Sequence, residues 1–314
     1  MKLINQYAQY LPQQAGIDGI YKQIELAGRT SYLSWDKMTD DSAKKFVKML
    51  IKSKHTSVLE HGTVYLKMYS PGIFEKIQPH NVCDYLHNPY CKYKELVTPD
   101  GLYKFAMTYY ITTNLRVLQE NGWLDDLKYL CEPTEFHEKR LSVKLTTSID
   151  ITRESNRNRV LSPTEESTRY CNYSKGKYDN SISVGIPSWV NKEEIPIYKS
   201  LIGFADDISN DRTDRWDVLD WWFFANLACE KSYMMLLDKG WTPQQARKVL
   251  PLGTKSEIAY TAFESDWRDW FDKRLFGKTG QPHPDMLVLA NLIKQEFEKA
   301  GIWEEIMKYP SKFE

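Results

Sequence analysis

The chain has 314 residues, enough for one large domain or two ordinary ones and for a sizeable buried core. Its 42 basic and 42 acidic residues cancel, which excludes a global field that would gather nucleic acid or an anionic membrane, so any phosphate site has to be local. No apolar run of about 18 residues points to a membrane span, nothing behind Met1-Lys2-Leu3 reads as a signal peptide, and five scattered cysteines form no Cys-x-x-Cys pair; a cytoplasmic protein with reduced thiols is expected.

Neither a repeat nor a Pro/Gly/Ser linker divides the sequence, so residues 1–314 read as one continuous domain. Residues 40–53 set Ala43, Phe46, Val47, Leu50 and Ile51 at helical spacing behind the capping candidates Thr39 and Asp40. From His61 to Met68 the chain alternates, with Val64, Leu66 and Met68 on one face and Tyr65 and Lys67 on the other, as a half-buried strand does. Pro99-Asp100-Gly101 predicts a hairpin turn, residues 113–120 a helix, and the alternation of Leu141, Val143 and Leu145 a strand over 141–151.

The second half is mostly helical. Asp217 stands as N-cap of a long apolar and aromatic helix that runs to Leu237, stops at Gly240 and reads as core, with the Trp221–Phe224 stripe serving packing. Thr242-Pro243-Gln244-Gln245 combines a capping box with proline at the first helical position and opens a short helix that Pro251 terminates. Residues 284–300 give a further amphipathic helix through Leu287, Ala290, Ile293 and Phe297. Helices packed around a mixed β-sheet, an α+β domain, are expected.

Between these halves lies the densest chemistry. Residues 157–170 read Arg-Asn-Arg-Val-Leu-Ser-Pro-Thr-Glu-Glu-Ser-Thr-Arg-Tyr, in which Arg157, Arg159 and Arg169 present guanidinium forks suited to phosphate or carboxylate, and Ser167 and Thr168 add hydroxyls. A phosphorylated ligand is the natural inference. The plain alternative is a solvated face on which these arginines pair with Glu154, Glu165 and Glu166.

Arg-x-Arg, seven residues, then Ser resembles the signature of the flavin-dependent thymidylate synthases, with Asn158 in place of the usual histidine. Three other segments, in the family's order, carry the same resemblance: Ala27-Gly28-Arg29-Thr30-Ser31-Tyr32, His55-Thr56-Ser57-Val58-Leu59-Glu60-His61, and Ala246-Arg247-Lys248-Val249-Leu250-Pro251 with Arg274 beyond it. It spans roughly residues 20–69 and 138–300 and leaves 70–137 as a lobe inserted relative to short members.

The resemblance implies that Arg157, Asn158, Arg159 and Glu165 meet FAD, with Ser31, His55 and Ser57 around it. It implies that Glu154, Glu165, Ser167, Thr168, Arg169, Arg247 and Arg274 hold deoxyuridine monophosphate, and that Arg157, Asn158, Arg159 and Arg247 carry the catalytic role. It further implies that these groups come from different subunits of a homotetramer. The implied reaction methylates dUMP to dTMP, with methylenetetrahydrofolate as carbon donor and NADPH as reductant, and needs no metal, membrane or nucleic acid polymer. Glu154 replaces the glutamine of short members, and Phe263, Ser265 and Asp269 fall where those members place polar contacts to FAD. These departures keep two alternatives open: another pyrimidine nucleotide such as dCMP, or nucleotide binding without turnover.

Two further readings are set aside. Ser167 has no histidine in its motif to act as base, so it reads as a ligand to the nucleotide rather than a nucleophile. His80, Cys83, His87 and Cys91 have donor types that suit zinc, but their spacing matches no recognisable finger.

Overall fold

A computed structural model describes residues 1–70, 82–98 and 106–313. Two short strands, β1 (Lys2–Ile4) and β2 (Tyr7–Tyr10), lead into helix α1 (Gly16–Thr30), whose Ile20, Ile24, Ala27 and Gly28 are buried. Helix α2 (Ser42–Lys52) crosses α1 at Gly28, where a β-carbon would lie 2.6 Å from the Phe46 ring. The small residue of that first motif segment therefore has a packing cause. Thr39 and Asp40 do not cap α2 through their side chains; Ser42 Oγ instead accepts from Thr39 N at 2.9 Å and donates to Glu25 at 2.7 Å.

Strand β3 (Thr63–Ser70) buries Val64, Leu66 and Met68 as its alternation requires. After it come α3 (Val82–Leu86), β4 (Lys92–Thr98), β5 (Ala106–Asn114) and α4 (Leu115–Asn121). Strands β4 and β5 are antiparallel neighbours, while the Pro99–Gly101 turn lies outside the described residues. Asn114 caps α4 through Val117 N, and Gly122 ends it in the left-handed conformation that a residue without a β-carbon adopts freely. The three-stranded antiparallel sheet β3-β5-β4 shares one apolar core with α1, α2 and α4, built on Ile20, Ile24, Val47, Leu66, Ile111 and Leu118.

Strand β6 (Arg140–Ser148) is shorter than expected, because the chain turns at Ser148 directly into α5 (Ile149–Ser155). Next are β7 (Ser162–Glu165), β8 (Ser183–Gly185), α6 (Leu201–Ser209) and α7 (Val218–Asp238). Asp217 caps α7 on Leu219 N and Asp220 N, and Gly240 follows at φ +93°. The expectation that α7 is core is corrected: only Asp220, Phe223, Asn226 and Tyr233 are buried, and Val218 and Trp221 face outward. An unbroken apolar run conceals which side of a helix is covered.

The capping box of α8 (Pro243–Ala246) forms, and a short 3-10 turn carries Arg247 to Val249. Strand β9 (Lys255–Phe263), α9 (Glu264–Arg274), α10 (Pro284–Lys299) and α11 (Trp303–Met307) complete the chain. In α10 the buried apolar positions are Met286, Leu289, Ala290, Ile293 and Phe297, whereas Leu287 faces solvent.

The α+β class holds, with strands distributed over three sheets. The central one, in the order β2-β6-β9-β7, is antiparallel throughout and packs Val143, Leu145 and Tyr260 against Trp267, Trp270 and Phe271 of α9 and Phe297 of α10. Among the described strands, only β1 and β8 pair in parallel, as a two-stranded sheet. Buried His61, at the end of the turn that leads into β3, bridges two strands of the central sheet, with Nδ1 hydrogen-bonded to Thr261 Oγ1 of β9 at 2.8 Å and Nε2 to Thr164 Oγ1 of β7 at 2.9 Å.

Candidate functional site

The arginine-rich segment starts where α5 ends, turns through residues 156–161, and then runs along β7. Pairing with β9, from Ser162 opposite Thr261 to Glu165 opposite Ile258, fixes the two ends of the motif on opposite ends of a four-residue strand. At about 3.3 Å per residue those ends lie roughly 10 Å apart. Within one chain the expected site residues therefore fall into two groups.

The first group gathers between α5 and α9. Arg157 and Arg159 are exposed, and neither guanidinium makes a hydrogen bond or ion pair among the described residues. Asn158 between them is buried and its Nδ2 donates a long bond of 3.5 Å to Asp269 Oδ2. Arg274, at the end of α9, reaches back to α5: Nη1 donates to Glu154 Oε1 at 2.6 Å and Nη2 to the Glu154 carbonyl at 2.7 Å. Its Nε is buried without a partner. A buried guanidinium donor left unpaired is costly, and a ligand acceptor would relieve it.

The second group forms at the far end of β7. Glu165 Oε1 accepts from Thr152 Oγ1 of α5 at 2.7 Å and from Ser256 Oγ of β9 at 2.8 Å, which orients the carboxylate. Ser167 N donates to the Ser31 carbonyl at 2.9 Å, so the end of α1 and the motif meet. Arg247 Nη1 donates to Thr168 Oγ1 at 3.1 Å, and Arg169 Nε donates to Gln244 Oε1 at 3.2 Å. Both arginines are exposed, with most of their donors available.

Glu166, between these ligand candidates, points inward. Its Oε1 accepts from Tyr173 OH at 2.8 Å and its Oε2 from Lys255 Nζ at 2.9 Å. Burial pushes the Glu166 carboxyl above its ordinary value, and the Lys255 charge pulls against that shift. The alternative of a face on which Arg157, Arg159 and Arg169 pair with Glu154, Glu165 and Glu166 is not what forms, since each carboxylate has other partners.

His55 and Ser57 are exposed at the start of the 3-10 turn Thr56–His61, and neither side chain makes a hydrogen bond or ion pair among the described residues. His61, in contrast, is held down to about 3 by burial and then by the Arg140 charge, so it is neutral and structural. The neighbours Thr152 and Ser256 carry no local signal in sequence, because each reaches the motif through a non-local contact; Gln244 and Asp269, named in the sequence for other reasons, meet the motif in the same way.

The fit to FAD is uneven along the molecule. Near Asn158 the two unpaired guanidinia suit an anionic, hydrogen-bonding ligand. The positions expected at the adenine end are engaged elsewhere: buried Phe263 lies under Lys92 at 4.3 Å, Ser265 Oγ binds Lys92, and Asp269 pairs with Lys273 at 2.6 Å. Among the described residues no three His, Cys, Asp or Glu side chains converge as a metal site; His80 and the Cys83 side chain lie outside them. No described helix is long and apolar enough to cross a membrane.

Two clusters of guanidinium forks and hydroxyls lie on an antiparallel α+β frame. The family model described as thymidylate synthase complementing protein matches residues 17–135 and 122–300, and the chain belongs to that family. The resemblance read from four short segments is thereby borne out. Among solved structures, the UMP/dUMP methylase PolB from Streptomyces cacaoi is similar at 14% identity, with 5-Br dUMP bound (98% of this chain and 97% of that one covered, TM-score 0.43). The same methylase with 5-Br UMP bound gives 14% identity, 98% and 96% coverage and a TM-score of 0.42. No curated protein matches.

Proposed function

We propose that this protein is a flavin-dependent thymidylate synthase that methylates dUMP to dTMP, with FAD as cofactor and NADPH and methylenetetrahydrofolate as co-substrates. The observation that carries the reading is the division of the site into two half-sites, each with unsatisfied cationic donors. Arg157, Arg159 and the orphaned Nε of Arg274 form one, while Arg169 and Arg247 form the other. A nucleotide monophosphate supplies the acceptors that such donors lack. Half-sites roughly 10 Å apart on one strand suit a homotetramer in which each active site combines two copies. The first motif segments, with Ser31, His55 and Ser57, then border the flavin from a neighbouring subunit.

The chain's own groups bind and orient. Arg157 and Arg159 hold charge beside the flavin, with Asn158 offering a neutral amide. Glu165, fixed by Thr152 and Ser256, presents a carboxylate to the pyrimidine. Ser167, Thr168, Arg169, Arg247 and Arg274 fix the phosphate and base. Bound there, FAD would supply the hydride chemistry that a protein side chain cannot. The lobe of residues 70–137 stays outside this chemistry, in a cytoplasmic enzyme.

A dCMP substrate is the second reading, motivated by a carboxylate at position 154 that could accept from a 4-amino group. Because Arg274 already holds Glu154 at 2.6 Å, dUMP is favoured. The test is incubation of purified protein with FAD, NADPH, methylenetetrahydrofolate and either dUMP or dCMP, with products identified by mass. Formation of dTMP supports the proposal. Methylated dCMP alone transfers it to the second reading, and neither product with bound yellow flavin rejects both.

A further inference from the structure

A cavity of about 480 Å³ opens where the link between β1 and β2, the segment after β8, the start of α7 and the start of α10 meet. Its walls include the indoles of Trp189 and Trp222. Asp150, Glu194, Asp217 and Asp285 are among its lining residues. No Lys or Arg lines it, and among the described residues none forms an ion pair with any of the four. None of the residues assigned to the nucleotide or the flavin borders it either.

One oxygen of each carboxylate is already satisfied. Asp217 Oδ1 accepts from Leu219 N and Asp220 N, both at 2.9 Å, Asp285 Oδ1 from Ser188 N at 2.6 Å, Asp150 Oδ1 from Ile151 N at 2.9 Å, and Glu194 Oε1 from Asn191 Nδ2 at 3.2 Å. The second oxygens have no hydrogen bond among the described residues. Gln6 is held beside them, its Nε2 donating to the Asp285 carbonyl at 3.0 Å.

We infer that this cavity binds an organic cation with a flat apolar body, of the aryl-alkylammonium class. The lining offers acceptors and negative charge and brings no cation of its own, so the complementary ligand has to supply both donors and positive charge. A concave wall of low polarisability concentrates the field of the carboxylates, and indole faces attract a cation that is being stripped of water. The flat body fills the apolar part, as in most small-molecule sites. Recognition here is independent of the methylation reading, since the two sites share no residue.

The probe is tryptamine, compared with indole-3-propionate, which has the same ring and the opposite charge. Calorimetric titration of the full chain is expected to give saturable tryptamine binding, one site per chain, at least about tenfold tighter than the anion. Asp217→Asn with Glu194→Gln is expected to weaken tryptamine about tenfold, because the change removes two charges while asparagine keeps the α7 cap. Trp189, 63% exposed, allows a second variant that leaves the core untouched: Trp189→Ala is also expected to weaken tryptamine. Equal affinity for both probes, absence of saturation, or unaltered tryptamine affinity in either variant would overturn the inference. Binding that fades as protein concentration rises would do so too, giving the cavity to a second copy.

Discussion

Arg247 and Arg169 each spend one donor on a neutral side chain and keep the others for a ligand. Arg247→Ala and Arg169→Ala are therefore expected to weaken dUMP far more than FAD, by about 1.5 to 3 kcal/mol for each charge-assisted bond removed. Equilibrium titration of both ligands checks this, and equal loss of both contradicts it. Ser167, with no base beside it, is expected to be replaceable. Ser167→Ala should keep measurable turnover at reduced nucleotide affinity, and loss of all turnover with nucleotide still bound would restore the nucleophile reading.

Asn158 gives the more discriminating residue test. Its amide lies 3.5 Å from the Asp269 carboxylate, which Lys273 already pairs at 2.6 Å, so a histidine placed there keeps a hydrogen-bonding neighbour and brings a more strongly polarised donor. Asn158→His is expected to bind reduced flavin more tightly than oxidised flavin, by about 1 kcal/mol, and to raise the midpoint potential. Redox titration of both proteins with FAD bound measures this. An unchanged or lowered potential would remove residue 158 from the flavin's surroundings.

At the scale of elements, His61 ties β7 to β9 while buried and neutral, depressed from 6.5 to about 3. A depressed histidine stabilises the fold fully above its unfolded value of 6.5, and the contribution is lost as pH falls from there toward 3. Between pH 7.5 and 5.5 the loss is about 1.4 kcal/mol. Urea unfolding at the two pH values should show this extra drop in the wild-type chain and not in His61→Gln; parallel behaviour would contradict it.

The elements also show what sequence can carry. Local signals were legible: the Asp217 and Thr242 caps, the β3 alternation and the Pro284 helix start all depend on residues within one turn or strand. The covered side of α7 was not legible because an apolar run does not show it, and the expected helix α2 forms but without the Thr39 or Asp40 cap, Ser42 bonding Thr39 N and Glu25 instead. The site was legible as a motif but not as a geometry. That Glu154 meets Arg274, 120 positions away, follows from the packing of α9 on α5 and from no local pattern.

At the scale of the whole molecule, the proposed synthase builds each active site from half-sites on different copies of the chain. Arg274→Ala disables the first and Arg247→Ala the second, so each homo-oligomer should lose dTMP formation. Mixed oligomers, made by dissociating and reassociating the two variants together, contain sites in which an intact first half from one chain meets an intact second half from the other. The measurement is dTMP produced by the mixture against the two variants kept apart. The account predicts that activity absent from either variant returns in the mixture, at a fraction of the wild-type rate. Mixed oligomers that form yet stay as inactive as their parents would mean that both arginines serve a site within a single chain, contradicting the composite site and the synthase reading built on it.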